Sequence, residues 1–153
     1  MKSRSLTIFF PIILLLVALD QLTKLFVLHT IPLYGTIKIV PGFFYLTHLY
    51  NTGAAFGMFH DSNRFFIGIS LVTLGILVWQ QRHFVTLPLQ MGWMLLISGI
   101  LGNVADRCRY GHVIDFLDVQ VFSYHWPAFN VADSCICLAT VFFLVSSFSP
   151  QQK

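Results

Sequence analysis

Long apolar runs alternate with shorter polar segments along this chain, and the length of the runs is informative. Four runs are mostly apolar: 6–28, 65–81, 85–105 and 128–148. A helix that crosses a bilayer needs about 20 such residues, at a rise of about 1.5 Å per residue. The pattern therefore predicts an all-α membrane protein with four transmembrane helices, forming a single domain over residues 1–153.

Composition supports a membrane protein and argues against a nucleic-acid-binding one. Of the 153 residues, 56% are hydrophobic and 10% are charged, and the mean hydropathy is +0.75. The net charge is +3, but the nine Lys and Arg residues are scattered singly, which is typical of solvated helix ends. We expect membrane lipids as partners and no nucleic acid.

The first apolar run has some features of a secretory signal peptide, because Lys2 and Arg4 precede its apolar core. No small-x-small cleavage site ends that core, however, and the apolar pattern resumes over residues 22–28. We expect this run to remain as the first transmembrane helix.

The segment 30–64 between the first two runs is rich in aromatic and β-branched residues. Thr36–Val40 and 43–50 read as two strands around a Pro41-Gly42 turn, which predicts a small sheet, or cradle, at the membrane surface. The small residues of 51–57 predict a lid. Four crossings place 30–64 and 107–127 on the same side of the membrane, but cations flank both sides, so charge does not decide the orientation.

All six acidic residues are aspartates, and four of them fall in a short stretch: Asp106, Asp115, Asp118 and Asp133. Carboxylates beside apolar runs are unfavourable unless they have a function or a partner. We interpret Asp106 as structurally paired with Arg107 at the end of the third run. Asp20 precedes Lys24 by four residues, the favourable order for an ion pair on one helix face.

The third run also contains Ser98 and Gly102, a small-xxx-small pair that lets another helix approach closely. Asn103, Asp106 and Arg107 follow on one helix face. For Asn103, a helix-packing hydrogen bond and a functional role remain equal alternatives.

Asp115 and Asp133 differ from the other aspartates in their surroundings. Asp115 has apolar neighbours, which raise the pKa of a carboxyl group. Asp133 lies about five residues into the fourth run, roughly 8 Å below its start, with Asn130 one turn earlier. Two such carboxyls can share one proton, as in aspartic proteases. A proton or cation relay and an inactive scaffold remain open alternatives at this point.

Several other chemistries are disfavoured by the residue inventory. The chain has no glutamate, which excludes an HExxH zinc site, and no serine lies in a nucleophile elbow. The set His112, Asp115 and His125 is a weak metal-site candidate. The three cysteines form no CxxC motif. We therefore expect neither a metal nor a cofactor.

Five ordered motifs closely resemble the lipoprotein signal peptidase family, bacterial signal peptidase II. The motifs are DQLTK at 20–24, NTGAAFG at 51–57, GNVADR at 102–107, VIDF at 113–116 and FNVADS at 129–134. The resemblance implies a catalytic pair, Asp115 and Asp133. The positions that it implies to support the site or bind substrate are Asp20, Asn51, Gly53, Asn103, Asp106, Arg107, Asn130 and Ala132.

The same resemblance implies four transmembrane helices, both termini in the cytoplasm and an extracytoplasmic cradle and lid. The expected location is the bacterial cytoplasmic (inner) membrane, with the active site on its extracytoplasmic side. The implied substrate is a prolipoprotein whose cysteine carries a diacylglyceryl group, cut just before that cysteine. We expect a monomer, and we expect Trp79, Trp93 and Trp126 to act in packing and interface anchoring rather than substrate contact.

Overall fold

The described part of the chain forms four α-helices and one small antiparallel sheet. The computed structural model describes residues 6–53, 62–122 and 124–148. The elements are α1 (Phe10–Thr30), β1 (Thr36–Val40), β2 (Phe44–Asn51), α2 (Asn63–Trp79), α3 (Leu87–Tyr110), β3 (Val113–Val121), β4 (Tyr124–His125) and α4 (Val131–Phe148). Short 3₁₀ segments, Leu6–Phe9 and Gln81–His83, precede α1 and follow α2.

The four predicted spans are all helices, but their ends differ from the prediction. α3 continues past residue 105 to Tyr110, where Gly111 ends it with a left-handed φ of 81°. α4 begins at Val131 rather than 128, because the side chain of Asn130 caps it. The apolar runs thus locate the helices, whereas caps and glycines set their ends.

Within residues 6–53, 62–122 and 124–148, three helices are long and apolar enough to cross a membrane: α1, α3 and α4. α2 is also apolar, but its 17 residues span only about 25 Å at the helical rise, against a hydrocarbon core of about 30 Å. An integral membrane protein is therefore supported, and the fourth crossing stays a prediction.

The sheet has the strand order β1-β2-β3-β4. The two predicted strands correspond to β1 and β2, with Gly42 at a φ of 77° in the turn between them. The prediction that confined the cradle to 30–64 is wrong, because β3 pairs along β2 and β4 pairs with β3. Of the predicted lid 51–57, residues 54–57 lie outside the described residues.

The helices alternate in direction, so that all four meet the sheet at one end of the bundle. Asn63 at the start of α2 donates to the carbonyl of Arg107 near the end of α3 (3.1 Å). At the far end, Thr86 before α3 faces Ser146 near the end of α4 (3.5 Å). The ends of α1 and α3 and the starts of α2 and α4 therefore surround β2 and β3, and the aspartates gather there.

α3 is the central helix of the bundle. Of the most apolar 18-residue segment of each helix, 56% is buried inside the protein in α3, against 22% in α1 and 17% in α4. Two glycines make this possible: Gly99 lies against the carbonyl oxygen of Ala132, and Gly102 lies against the Asp20 carboxylate and the Ala132 methyl group. The expected close approach at Ser98 and Gly102 is present at Gly102, and Gly99 adds a second contact with α4.

We predict that Gly99→Ala lowers the thermal stability of the purified protein in detergent. The added methyl group would collide with the backbone of α4, and overpacking of this kind costs about 1–3 kcal/mol. Gly75→Ala in α2 is the matched control, because no atom lies within 4 Å of the position its methyl group would take. Equal melting temperatures for the two variants would contradict the packing described.

Candidate active site

A cleft of about 770 Å³ opens between the sheet and the helices. Its walls come from β2, β3, α2, α3 and α4, together with the segment before α4. Apolar side chains such as Phe66, Ile100 and Ile136 line much of it, and the polar groups that converge there are Asn51, Asn103, Arg107, Asp115 and Asp133. Gly53 also lines the cleft, so six sequence-predicted site residues share one cavity. Trp126, expected to be an interface anchor, lines it too.

Asp115 reaches the cleft from the start of β3. In the register of the sheet it lies opposite Leu49, and Asn51 is its diagonal neighbour on β2. Asn51 Nδ2 donates to Asp115 Oδ2 (2.9 Å), and Asn130 Nδ2 donates to Asp115 Oδ1 (2.8 Å). Both carboxyl oxygens thus accept an amide N–H, and the side chain is held by β2 and by the start of α4.

Asp133 lies in the first turn of α4, closer to the helix start than expected. Its backbone N–H donates to Asn130 Oδ1 (2.8 Å), and its Oδ2 accepts from the backbone N–H of Asn130 (3.3 Å). This reciprocal pair is a capping box. Asn103 Nδ2 donates to Asp133 Oδ1 (2.8 Å), which links the carboxyl to α3.

Burial is the main influence on the charge of Asp115. Burial, together with the nearby charge of Asp133, raises the pKa of Asp115 to about 7, although the hydrogen bonds from Asn51 and Asn130 and the charge of Lys24 act to lower it. At neutral pH such a carboxyl is neither fully ionised nor fully protonated. The arrangement therefore favours two carboxyls that hold one proton between them.

Below these carboxyls lies a buried charge cluster formed by Asp20, Lys24 and Asp106. Lys24 Nζ is 2.8 Å from Asp20 Oδ2 and 2.8 Å from Asp106 Oδ2, and all three residues are at most 1% exposed. Gln21 Nε2 donates to both carboxylates, at 3.2 Å to Asp20 and 2.8 Å to Asp106. The predicted Asp20–Lys24 ion pair is confirmed.

The predicted pairing of Asp106 with Arg107 is wrong. Consecutive residues of a helix point in different directions; Asp106 faces Lys24 on α1, whereas Arg107 lines the cleft. Arg107 donates to the carbonyl oxygen of Gly53 (3.1 Å) and lies over the ring of Phe66. Gly53 in turn donates its N–H to Asn51 Oδ1 (3.1 Å), so Arg107 and Gly53 help orient the amide that holds Asp115.

Ala132 joins α4 to the charge cluster. Its backbone N–H donates to Asp20 Oδ1 (2.9 Å), and its side chain is 1% exposed. A larger side chain would push α4 away from α3 at Gly102. Every predicted supporting residue thus lies at the cleft or in the layer beneath it.

Sequence reasoning gave Lys24 only a structural role and gave Gln21 none, yet both lie at the centre of this layer. Spacing identified one partner of Lys24, but its second partner and its bond to Asn103 depend on the packing of α1 against α3. The Asn130-x-x-Asp133 spacing before an apolar run was a detectable sign of the capping box.

The weak metal-site candidate does not assemble. His125 pairs with Asp118 (3.4 Å) at the surface, and the His112 ring stacks on Tyr50 with ring centroids 3.7 Å apart. Among residues 6–53, 62–122 and 124–148, no three His, Cys, Asp or Glu side chains are grouped to hold a metal ion.

Comparison with known proteins identifies a family. Residues 12–149 match the family model described as Signal peptidase (SPase) II. A protein of Geobacter sulfurreducens named lipoprotein signal peptidase is 40% identical, with 95% of this chain and 94% of the relative covered. One of Desulforapulum autotrophicum with the same name is 42% identical, with 94% and 93% covered.

Two solved structures are also similar. Both are described as bacterial membrane enzymes determined by the in meso method, at 2.3 Å and 1.9 Å resolution. The first has a TM-score of 0.90 and 29% identity, covering 99% of this chain and 96% of the other. The second has a TM-score of 0.88 and 30% identity, with 98% of each chain covered.

The raised pKa of Asp115 predicts how stability depends on pH. The ordinary value for its carboxyl is 3.8 and the folded value is about 7, so between these values the folded protein binds more protons than the unfolded chain. Stability contributed by this group is therefore lost as pH rises from about 4 to about 7, by up to a few kcal/mol. We expect Asp115→Asn to be more stable than the wild type at pH 8.

Thermal unfolding in detergent at pH 5 and pH 8 measures this difference. Asp118→Asn, three residues along β3, is the matched control and should keep the wild-type dependence. A stability difference between the wild type and Asp115→Asn that is the same at both pH values would contradict the assigned pKa.

Proposed function

The chain belongs to the signal peptidase II family, a family of proteases, and we propose that it is an intramembrane aspartic endopeptidase acting on lipoprotein precursors. Asp115 and Asp133 form its catalytic pair. It removes the signal peptide from diacylglyceryl-modified prolipoproteins by cutting just before the lipidated cysteine. Membership in a protease family favours hydrolysis over the alternative of a proton or cation relay.

One observation carries the catalytic assignment: the buried carboxyl of Asp115 and the half-buried carboxyl of Asp133, from different elements, face one cleft, and within the described part of the chain their four oxygens accept N–H groups only from asparagines. Among the described residues, neither carboxyl forms an ion pair. A directly paired cation would hold both carboxylates ionised, whereas neutral amide donors orient them and leave one proton to be shared.

The reaction then follows general acid–base chemistry. The ionised carboxylate of the pair takes a proton from a water molecule, whose oxygen attacks the carbon of the scissile carbonyl. The protonated carboxyl gives its proton to the carbonyl oxygen, which produces a neutral tetrahedral diol. The diol collapses as the C–N bond breaks: the protonated carboxyl gives its proton to the leaving amine, and the ionised carboxylate takes a proton from one diol hydroxyl, which leaves a carboxyl group on the other product. One proton remains on the pair, ready for the next cycle.

The walls of the cleft suit an extended, lipid-tethered peptide. Leu49, Tyr50 and Asn51 of β2 line one side, and such a strand can support a substrate backbone by pairing. Phe66, Ile100 and Ile136 form apolar walls toward the helices, on the side from which a diacylglyceryl group held in the bilayer would arrive. Arg107 and the asparagines supply polar contacts for the peptide.

The membrane arrangement proposed is four crossings with both termini in the cytoplasm. The alternating helix directions support it, because they gather the sheet and the aspartates at one end of the bundle. That end faces the extracytoplasmic side of the bacterial inner membrane, where the precursors are processed. The enzyme acts as a monomer, since one chain supplies both carboxyls and every asparagine that holds them.

We predict that Asp115→Asn and Asp133→Asn each reduce cleavage of a lipidated precursor by at least about 100-fold, the usual contribution of a general acid or base. A gel-shift assay with purified protein measures the cleavage, and melting temperatures report folding. Asp118→Asn, on the same strand as Asp115 but paired with His125 at the surface, should cleave normally. Substantial cleavage by either active-site variant would refute the catalytic pair.

Substrate lipidation gives a second test. We expect the purified enzyme to cleave a diacylglyceryl-modified precursor and to leave the same precursor uncut when its cysteine is unmodified, because the lipid holds the peptide at the depth of the cleft. Cleavage time courses on the two substrates, at equal concentration in the same detergent, measure the preference. Equal rates would remove the lipoprotein part of the proposal and leave the peptidase part standing.

A further inference from the structure

The layer of charges beneath the cleft touches the proposed catalytic pair at one point. Lys24 Nζ, besides its two ion pairs, donates to Asn103 Oδ1 (3.2 Å). The same amide then donates through its Nδ2 to Asp133 Oδ1 (2.8 Å). One side-chain amide therefore separates a buried cation from a reacting carboxyl.

The orientation of that amide matters because its two ends have opposite chemistry. An asparagine can be turned so that either its N–H₂ or its carbonyl faces a neighbour. With the N–H₂ toward Asp133, the carboxyl can be ionised; with the carbonyl toward it, two acceptors would oppose each other unless the carboxyl kept a proton. The orientation of Asn103 thus decides whether Asp133 can act as a base.

Two groups hold Asn103 in the productive orientation, and both donate to its carbonyl oxygen. They are the Lys24 ammonium and Asn130 Nδ2 (3.3 Å). Asn130 also donates to Asp115 and to the carbonyl of Ile114, whereas Lys24 donates only to Asp20, Asp106 and Asn103 within the described part of the chain. A charged donor forms the stronger hydrogen bond, which makes Lys24 the main restraint on Asn103.

The two carboxylates make a lysine possible at this depth. Asp20 and Asp106 neutralise the ammonium, and their remaining acceptor positions are filled by Gln21 and by the backbone N–H groups of Ala132 (2.9 Å) and Ile114 (3.2 Å). The ammonium has three N–H groups and three acceptors. Its position is fixed by α1 and α3, and its third N–H is directed at Asn103.

We propose that Lys24 is a positioning residue of the peptidase, which acts by fixing the Asn103 amide so that an N–H faces Asp133. The inference rests on the proposed function of Asp115 and Asp133. A purely structural lysine would stabilise the bundle without affecting the protonation of the pair.

The test follows the protonation of the pair directly. The infrared C=O stretch of protonated carboxyls is titrated in the full-length protein in detergent, and the signals that disappear in Asp115→Asn and Asp133→Asn identify the pair. The main variant is Asp20→Asn/Lys24→Met/Asp106→Asn, which removes the cluster's charges together and so avoids leaving an unpaired buried carboxylate. Asn103→Ala, and the combination of all four changes, complete a double-mutant cycle.

We expect the triple variant and Asn103→Ala each to move the titration midpoint upward by about one pH unit, as loss of a hydrogen bond to a charged group implies. The fourfold variant should move it no further than Asn103→Ala alone, because both changes act through one amide. The triple variant should also lower kcat about tenfold, with KM within about twofold. If the triple variant does not fold, Lys24→Met alone takes its place in the cycle.

Gln21→Ala separates positioning from stability, because it removes a bond to both carboxylates and leaves the Lys24–Asn103 bond in place. It should lower the melting temperature without moving the midpoint, and Lys38→Met on the exposed β1 strand should change neither. An unchanged midpoint in the folded triple variant, or additive shifts in the fourfold variant, would overturn the proposal. Failure of the proposed function is seen separately, as cleavage by Asp115→Asn or none by the wild type.

Discussion

The ammonium of Lys24, buried between the carboxylates of Asp20 and Asp106, is the interaction on which the rest of the structure depends. It joins α1 to α3, and the same two carboxylates accept backbone N–H groups from Ala132 at the start of α4 and Ile114 on β3. Because these charges are removed from water, loss of one partner leaves another uncompensated, at a cost of about 3–5 kcal/mol. Three helices and the sheet are therefore fixed relative to one another at the level of the cleft.

Above this cluster the polar groups form a second layer with different chemistry. Asn51, Asn103 and Asn130 carry no charge and hold the two carboxyls that face the cleft, and Asn103 lies between the Lys24 ammonium and Asp133. An ion in direct contact with the proposed catalytic pair would determine its protonation, whereas an intervening amide fixes orientation and transmits a weaker electrostatic effect. Gly102 allows this arrangement, since any side chain there would occupy the space of the Asp20 carboxylate.

Much of the fold could be predicted from local patterns, and the parts that could not depend on long-range contacts. Apolar runs located all four helices, and the Pro41-Gly42 turn with its alternating neighbours located β1 and β2. β3 was missed because Val113–Phe116 reads as another short apolar run until β2 lies beside it. For the same reason, the predicted cradle at 30–64 did not include β3.

In the candidate site too, local sequence predicted some features, whereas others depend on long-range contacts. Asp115 and Asp133 could be selected by their apolar surroundings and by resemblance, and both line the cleft. The predicted pairing of Asp106 with Arg107 was wrong because it was based on their adjacency in the sequence. On a helix, the side chains of two consecutive residues point in different directions. The contacts of Lys24 with Asp106 and Asn103 could not be predicted, because they depend on how α1 packs against α3. The spacing of residues within α1 carries no information about that packing.

In the proposed mechanism, Asp115 and Asp133 share one proton across the cleft. The most direct test is the pH dependence of kcat/KM for a lipidated precursor, measured on the wild type over the range in which it stays folded. A pair that must hold a single proton predicts a bell-shaped profile, with activity lost when a second proton binds and lost again when the first dissociates. A profile with only one limb, or none, would contradict a shared proton.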